Sequence, residues 1–267
     1  DLWASFAKVA AANPYAQFPV ARDAAFLSTE SRENYMVADP YHKWDVAQDA
    51  VNQGAAVILT SVAEADRLGI DPAKRIFLHG YGQAKDRVTS ERAGLSRTLA
   101  LQRALGRALA SAGKTAADIS QFDLYSCFPV AVLLAAEALA LDWRKTPATV
   151  TGGLPFFGGA GNNYSMPAIA TMAANPRAAP DTFGLVLANG GFLSKEAVGV
   201  YSARPREDWA PVSSADIQAA IDTAPAPALV SETCEAVVET FTVTYARGVP
   251  QRGYVIGRTD AGGRVIA

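Results

Sequence analysis

The sequence predicts an α/β protein: a layered mixed sheet with helices on both faces, followed by a small C-terminal β-barrel-like domain. Three observations carry that reading. Between residues 54 and 203, short β-rich apolar runs alternate with helical stripes, and glycines close the two stripes that lead from strand to strand; after residue 230, Thr alternates with Phe, Val and Tyr. The 267 residues suggest about two domains, and half of them are hydrophobic. With 24 Lys+Arg against 26 Asp+Glu, the formal net charge is -2, which favours neither disorder nor a polyanion-binding surface. The longest nearly apolar stretch, 127–141, contains Glu137 and is shorter than the roughly 20 residues that cross a bilayer. A soluble, cytoplasmic protein without a membrane span is expected.

Leu2, Trp3, Phe6, Val9 and Ala10 recur at helical spacing and predict an opening helix, followed by a loop to about Pro40. AAVILTS reads as a strand, VAEADRLGI as a short helix closed by Gly69, and RIFLHGYG as a second strand. Leu95, Leu99, Leu105, Leu109 and Ala112 stripe a helix ending at Gly113. FDLYS is a buried strand leading into a helix with Pro129 in its first turn, where a missing N–H costs nothing, and TPATVTGG reads as the next strand. A glycine-rich loop opens the helix NNYSMPAIATMAA, and FGLVLANGG and AVGVYSA are two further strands. Four prolines between 204 and 229 mark a linker with one short helix, SADIQAAID, across which few contacts are expected. The helices at 129–141 and 162–174 are apolar all round, so another domain or chain is expected to cover them.

Cys127 and Cys234 are too few for a disulfide scaffold and are expected to be free thiols. Cys127 lies at a strand-to-helix turn, where the helix dipole favours a thiolate, although a buried structural cysteine is the commoner role. Ser126 reads as a helix N-cap. His79, in an apolar strand, suits a core histidine bonded to a carbonyl better than a catalytic base, and His42 reads as surface. The loop GGLPFFGGAGNNYS offers backbone N–H groups to an anion or carbonyl, or serves as a tight turn for packing. It lacks the spacing of a nucleotide-binding loop. No Cys/His cluster has metal-ligand spacing, and the C-terminal segment has no basic excess for nucleic acid.

NQGAAVILTS, FDLYSCFP, TVTGGLPFFGG and LANGGF occur in the order and at about the spacing found in the C-terminal half of thiolases. Residues 1–205 resemble the thiolase-like "acetyl-CoA acetyltransferases", and the segment after 230 resembles the additional C-terminal domain of thiolase-like proteins. The resemblance implies two similar halves, with 1–70 ending the first, 71–205 forming the second, 206–230 a linker and 231–267 the additional domain. The first residue is Asp1 rather than Met, so a chain that is processed or part of a longer product is expected, and the resemblance implies that its partner is the first thiolase half, in cis or as a separate chain. The family's Asn-Glu-Ala-Phe or His-Asp-Cys-Phe motif falls on Tyr125, Ser126, Cys127 and Phe128. Its Gly-His-Pro falls on Gly158, Gly159 and Ala160, and the Cys of its Cys-x-Gly falls on Ala188, followed by Asn189 and Gly190. Two acid/base positions are therefore lost. The expected function is a thiolase-like acyl-CoA C-acyltransferase with an eroded site: Tyr125 transfers protons, the backbone at Gly159 and Gly190 donates to an oxyanion, and Cys127 supports from behind. The alternatives are a thiolase-fold retro-aldol lyase and a non-catalytic CoA-binding scaffold. The resemblance further implies a homo-oligomer, a coenzyme A thioester as substrate, and no metal or tightly bound cofactor.

Overall fold

The computed structural model describes all residues from Asp1 to Ala267. Its helices are α1 (Leu2–Ala11), α2 (Ala24–Ser28), α3 (Val62–Arg67), α4 (Leu99–Ala112), α5 (Pro129–Ala138), α6 (Gly153–Phe156), α7 (Ser165–Ala178) and α8 (Ala215–Asp222). The strands are β1 (Met36–Ala38), β2 (Tyr41–His42), β3 (Phe77–Lys85), β4 (Gln121–Asp123), β5 (Gly184–Gly190), β6 (Lys195–Ser202), β7 (Val237–Ala246), β8 (Val249–Arg258) and β9 (Arg264–Ile266).

One mixed sheet runs β3-β6-β5-β4, with β4 parallel to β5 and the other pairs antiparallel. The apolar stripe of α4 packs on one face, where Leu101, Leu105 and Ala108 share a core with Leu185, Leu187, Val198 and Val200. Gly80 and Gly82 of β3 permit that approach, because a Cβ at either would run into the α4 backbone. On the opposite face, Tyr164, Ala168 and Met172, at and within the start of α7, pack on Val186. α4 ends at Gly113, whose left-handed φ of 62° lets the chain turn away from the helix axis.

Two segments expected as strands are not strands here. Residues 55–61 carry no regular pairing, and Ile58 and Leu59 stand 86% and 93% exposed, because no neighbouring strand lies beside them. Residues 146–153 run along β4 but share only the Leu124 N–H to Ala148 carbonyl bond; thereafter the Asp123 side chain takes over the hydrogen bonds of Val150 and Thr151. β3 also continues past Gly80 and Gly82 to Lys85.

The apolar helices are covered on one side only within this chain. α5 buries Ala131, Val132, Ala135 and Ala136 while Val130 and Leu133 remain exposed. A broad cleft of about 1230 Å³ separates α7 from α1 and residues 52–56.

The second sheet, β2-β1-β7-β8-β9, corrects the expectation that few contacts cross the linker. Residues near the N-terminus supply two of its five strands: Ala38 pairs with Thr244, and the Asp39 N–H donates to Val243. Arg264, wholly buried, pairs with Glu239 and donates to the carbonyls of Ser90 and Arg92. Within the 206–230 stretch, α8 buries Ile217 and Ile221 in the main core, and Gln218 brackets the β3 edge by bonding both Lys85 N–H and its carbonyl.

Candidate functional site

The site-bearing residues gather where β4 and β5 end and α5 begins. β4 is only three residues long, and its central apolar face would exclude a charge, yet Asp123 lies in it fully buried. The carboxylate is satisfied by five donors. Oδ2 accepts from Thr149 Oγ1 (2.9 Å), Val150 N–H (3.0 Å), Thr151 N–H (3.1 Å) and Thr151 Oγ1 (3.0 Å), and Oδ1 accepts from the Tyr164 hydroxyl (2.8 Å). Burial nevertheless holds its pKa above the usual carboxylate range, against the opposing pull of these donors. This hub fixes the 149–153 segment, and so the start of the glycine-rich loop, against β4. Ser126 contributes as well: it caps α6 rather than α5, accepting from Leu154 N–H at 3.0 Å.

Tyr125 is half-buried, edge-on to Tyr164 with ring centroids 5.5 Å apart. Burial first, and the nearby Cys127 second, push its phenol pKa upward. A hydroxyl so placed keeps its proton at neutral pH. Cys127, also half-buried, has its thiol pushed up to about 11 by burial, so the helix-dipole argument for a thiolate is outweighed by desolvation. Its Sγ meets the Asn189 side-chain amide at 3.8 Å. Tyr41 stacks on Phe128 at 5.3 Å, and Cys127 adds to the upward shift of the Tyr41 phenol.

Gly190 ends β5 next to Asn189, so the structure brings Tyr125, Cys127 and Gly190 to one end of the sheet. Gly159 is placed differently. Its N–H donates to the Gln48 carbonyl at 2.8 Å, and Ala47 N–H in turn donates to the Cys127 carbonyl. The 47–48 segment therefore threads between Cys127 and Gly159 and occupies the donor assigned to an oxyanion. Gly158 is likewise pressed against Gln53 and Val51, with φ at 122°. Ala188, opposite Ala197, carries no acid or base.

His79 donates its Nε2–H to the Arg204 carbonyl at 2.8 Å and packs edge-on against Phe183, as a core histidine does. Burial, with the positive charges of Arg206, Lys114 and Arg204, lowers its pKa. His42 is more than a surface residue: it starts a short 3-10 turn and lies 3.3 Å from Asp45. Both cysteines are free. No group of His, Cys, Asp or Glu is arranged to hold a metal.

Three residues here escaped the sequence reading: Asp123, Tyr164 and Glu196. The first was visible as a lone charge in the apolar run FDLYS. Glu196 was visible through the period-2 pattern of β6, which places it on the same face as Val198 and Val200. Tyr164 had no such signal, because its partner is 41 residues away.

No helix is long and apolar enough to cross a membrane. No curated protein sequence matches the chain. The family model of the thiolase-like protein type 1 additional C-terminal domain matches residues 216–267. Among solved structures, a monomeric SCP2-thiolase-like protein type 1 from Mycobacterium smegmatis superposes with a TM-score of 0.93 at 43% identity; the match covers all of this chain and 59% of that one. By its α/β fold and by the domain matched at its C-terminal end, this chain is a thiolase-like protein.

Proposed function

We propose that this chain forms part of the binding site for an acyl-CoA thioester and that it lacks ordinary thiolase turnover. The observation that carries the reading is the chemistry at the end of β4 and β5. Tyr125 and Cys127 both hold their protons, and Asn189 adds an amide, so the site presents donors suited to a thioester carbonyl. Claisen chemistry also needs a base for the acyl donor. The positions that resemble the family's histidine and second cysteine are Gly159 and Ala188, and neither can take a proton. A retro-aldol lyase is the second reading, favoured by the same protonated groups, because its enolate product requires an acid.

Titration calorimetry with acetyl-CoA on the full chain, beside an acetoacetyl-CoA thiolysis assay, tests this. Binding with thiolysis at least about a hundredfold below ordinary enzyme rates is expected, since one missing proton-transfer group costs that much. Absence of CoA-thioester binding refutes the reading, and brisk thiolysis refutes the erosion. Tyr125→Phe, which removes only the hydroxyl, separates a lyase from a scaffold when cleavage of a β-hydroxyacyl-CoA is followed.

A further inference from the structure

β6 pairs with β5 on one side and with β3 on the other, and the two registers set Gly190, Lys195 and Lys85 in a single row across the three strands. The side-chain alternation puts that row on the same sheet face as Ala188. Neither Lys85 nor Lys195 enters any ion pair in the structure. Like charges directly opposite one another in a ladder repel. An anion held between the two ammoniums would relieve that cost.

The row is built rigidly. The turn from β5 to β6 holds Gly191, Phe192 and Leu193 in the left-handed region, at φ 56°, 50° and 59°, where the two side chains strain the backbone. Ser194 N–H closes the turn on the Gly190 and Gly191 carbonyls, and Arg92 donates to the Phe192 carbonyl. Strain of this kind persists where a site requires the geometry it gives, and here it brings Lys195 directly across from Gly190. A Cβ at Gly190 would touch Lys195 Cβ and Cδ, each 3.9 Å away, so the lysine stem lies along that glycine. Lys85 is fixed from the far side, where Gln218 grips both its N–H and its carbonyl.

The surroundings also suit an anion. An open cavity of about 830 Å³ runs along this face from Asn189 and Gly190, past both lysines, to Ser213 and Ser214. The Ser213 hydroxyl accepts from Ala215 N–H and that of Ser214 from Gln83 N–H, so each keeps its own hydrogen to donate. The one carboxylate along the cavity, Glu196, is 3% exposed and lies on the α4 face with Val198 and Val200, where its charged neighbours are Arg92 and Asp86.

We propose that Lys195 and Lys85 bind a carboxylate carried by the acyl group, so that the ligand of this site is an acyl-CoA whose acyl chain ends in a second acid. The proposal rests on the thioester reading above. The two lysines stand one and two strand spacings from Gly190, about 5 and 10 Å, a span that a few acyl carbons cover. The phosphates of coenzyme A are instead held away from its thioester by the whole pantetheine arm. Lys195, nearest Gly190, makes the principal contact, and Lys85 adds to it.

Titration calorimetry of the full chain with glutaryl-CoA and valeryl-CoA, which have the same number of acyl carbons and differ in the terminal carboxylate, tests this. Glutaryl-CoA should bind roughly fivefold more tightly at low ionic strength, the gain from one well-placed exposed ion pair, and about 0.5 M salt should erase most of the preference. Lys195→Met, which keeps the stem over Gly190, should bring glutaryl-CoA to the level of valeryl-CoA. Lys195→Arg should retain the preference, and Lys85→Met should reduce it partway. Equal affinities in the natural sequence overturn the proposal without recourse to any variant, while binding of valeryl-CoA leaves the thioester reading standing. A preference that survives Lys195→Met and Lys85→Met together overturns it as well. A Lys195→Met chain that loses affinity for both thioesters equally assigns the lysines to the coenzyme phosphates and overturns the acyl assignment. Failure of both thioesters to bind overturns the thioester reading, and the proposal with it.

Discussion

Replacing Asp123 should separate the hub that organises the site from ordinary core packing. Asp123→Ala removes the acceptor of five donors in a fully buried position. Some of them have a second partner: Thr151 N–H also reaches Thr149 Oγ1, and the Thr151 and Tyr164 hydroxyls meet at 2.6 Å. Val150 N–H has none. One orphaned backbone donor at about 1–3 kcal/mol, plus two or three hydroxyl and amide bonds at about 1 kcal/mol each, gives a loss of about 3–6 kcal/mol. Asp123→Asn keeps one acceptor oxygen for the 149–151 segment, and its amide can face the Tyr164 oxygen, so the cost should be about 1 kcal/mol. The pH dependence has a definite sign. Because burial raises the folded-state pKa of Asp123, the folded chain holds that proton more tightly than the unfolded one. The resulting stability is complete below the unfolded pKa and is lost as pH rises toward the folded value, a slope that the Asn variant lacks. Urea unfolding followed by circular dichroism at several pH values measures both effects. An alanine variant within about 1 kcal/mol of the natural sequence, or an Asn variant that is equally damaged, would refute the argument.

Glu196 obeys the same linkage with a wider window: its contribution falls as pH rises from 4.5 to about 8, so Glu196→Gln should be the more stable form at pH 9, by about 3–5 kcal/mol in urea titrations. Removing residues 231–267 should abolish soluble folded protein, because β1 loses β7, leaving it only the short β2, and the carbonyls held by Arg264 are uncovered; a cooperative melt of the shortened chain contradicts this. Ile58, Leu59 and Val62 form an exposed apolar run, so the chain on its own should self-associate, and Ser at all three positions should shift its size-exclusion elution toward the monomer. An unshifted profile assigns the association to another surface.

Wherever periodicity and local chemistry suffice, the sequence alone determined the outcome. The stripe of α4 and its Gly113 stop, the Pro129 start of α5, the strands β3, β5 and β6, and the carbonyl-bonded His79 all follow from side-chain period, caps and composition. The thiolase-like order of four motifs was equally legible. Only the tertiary structure decided what depends on neighbours distant in the chain. The runs 55–61 and 146–153 have strand composition, but a strand exists only where a second backbone pairs with it, and here one lacks a neighbour and the other yields its hydrogen bonds to Asp123. The Gly159 N–H was assigned to an oxyanion from its loop, whereas the 47–48 segment, over a hundred residues earlier, takes it. Proton affinities at Tyr125, Cys127 and Glu196 were hidden for the same reason: desolvation is set by everything packed around a group, and composition along the chain does not encode that packing.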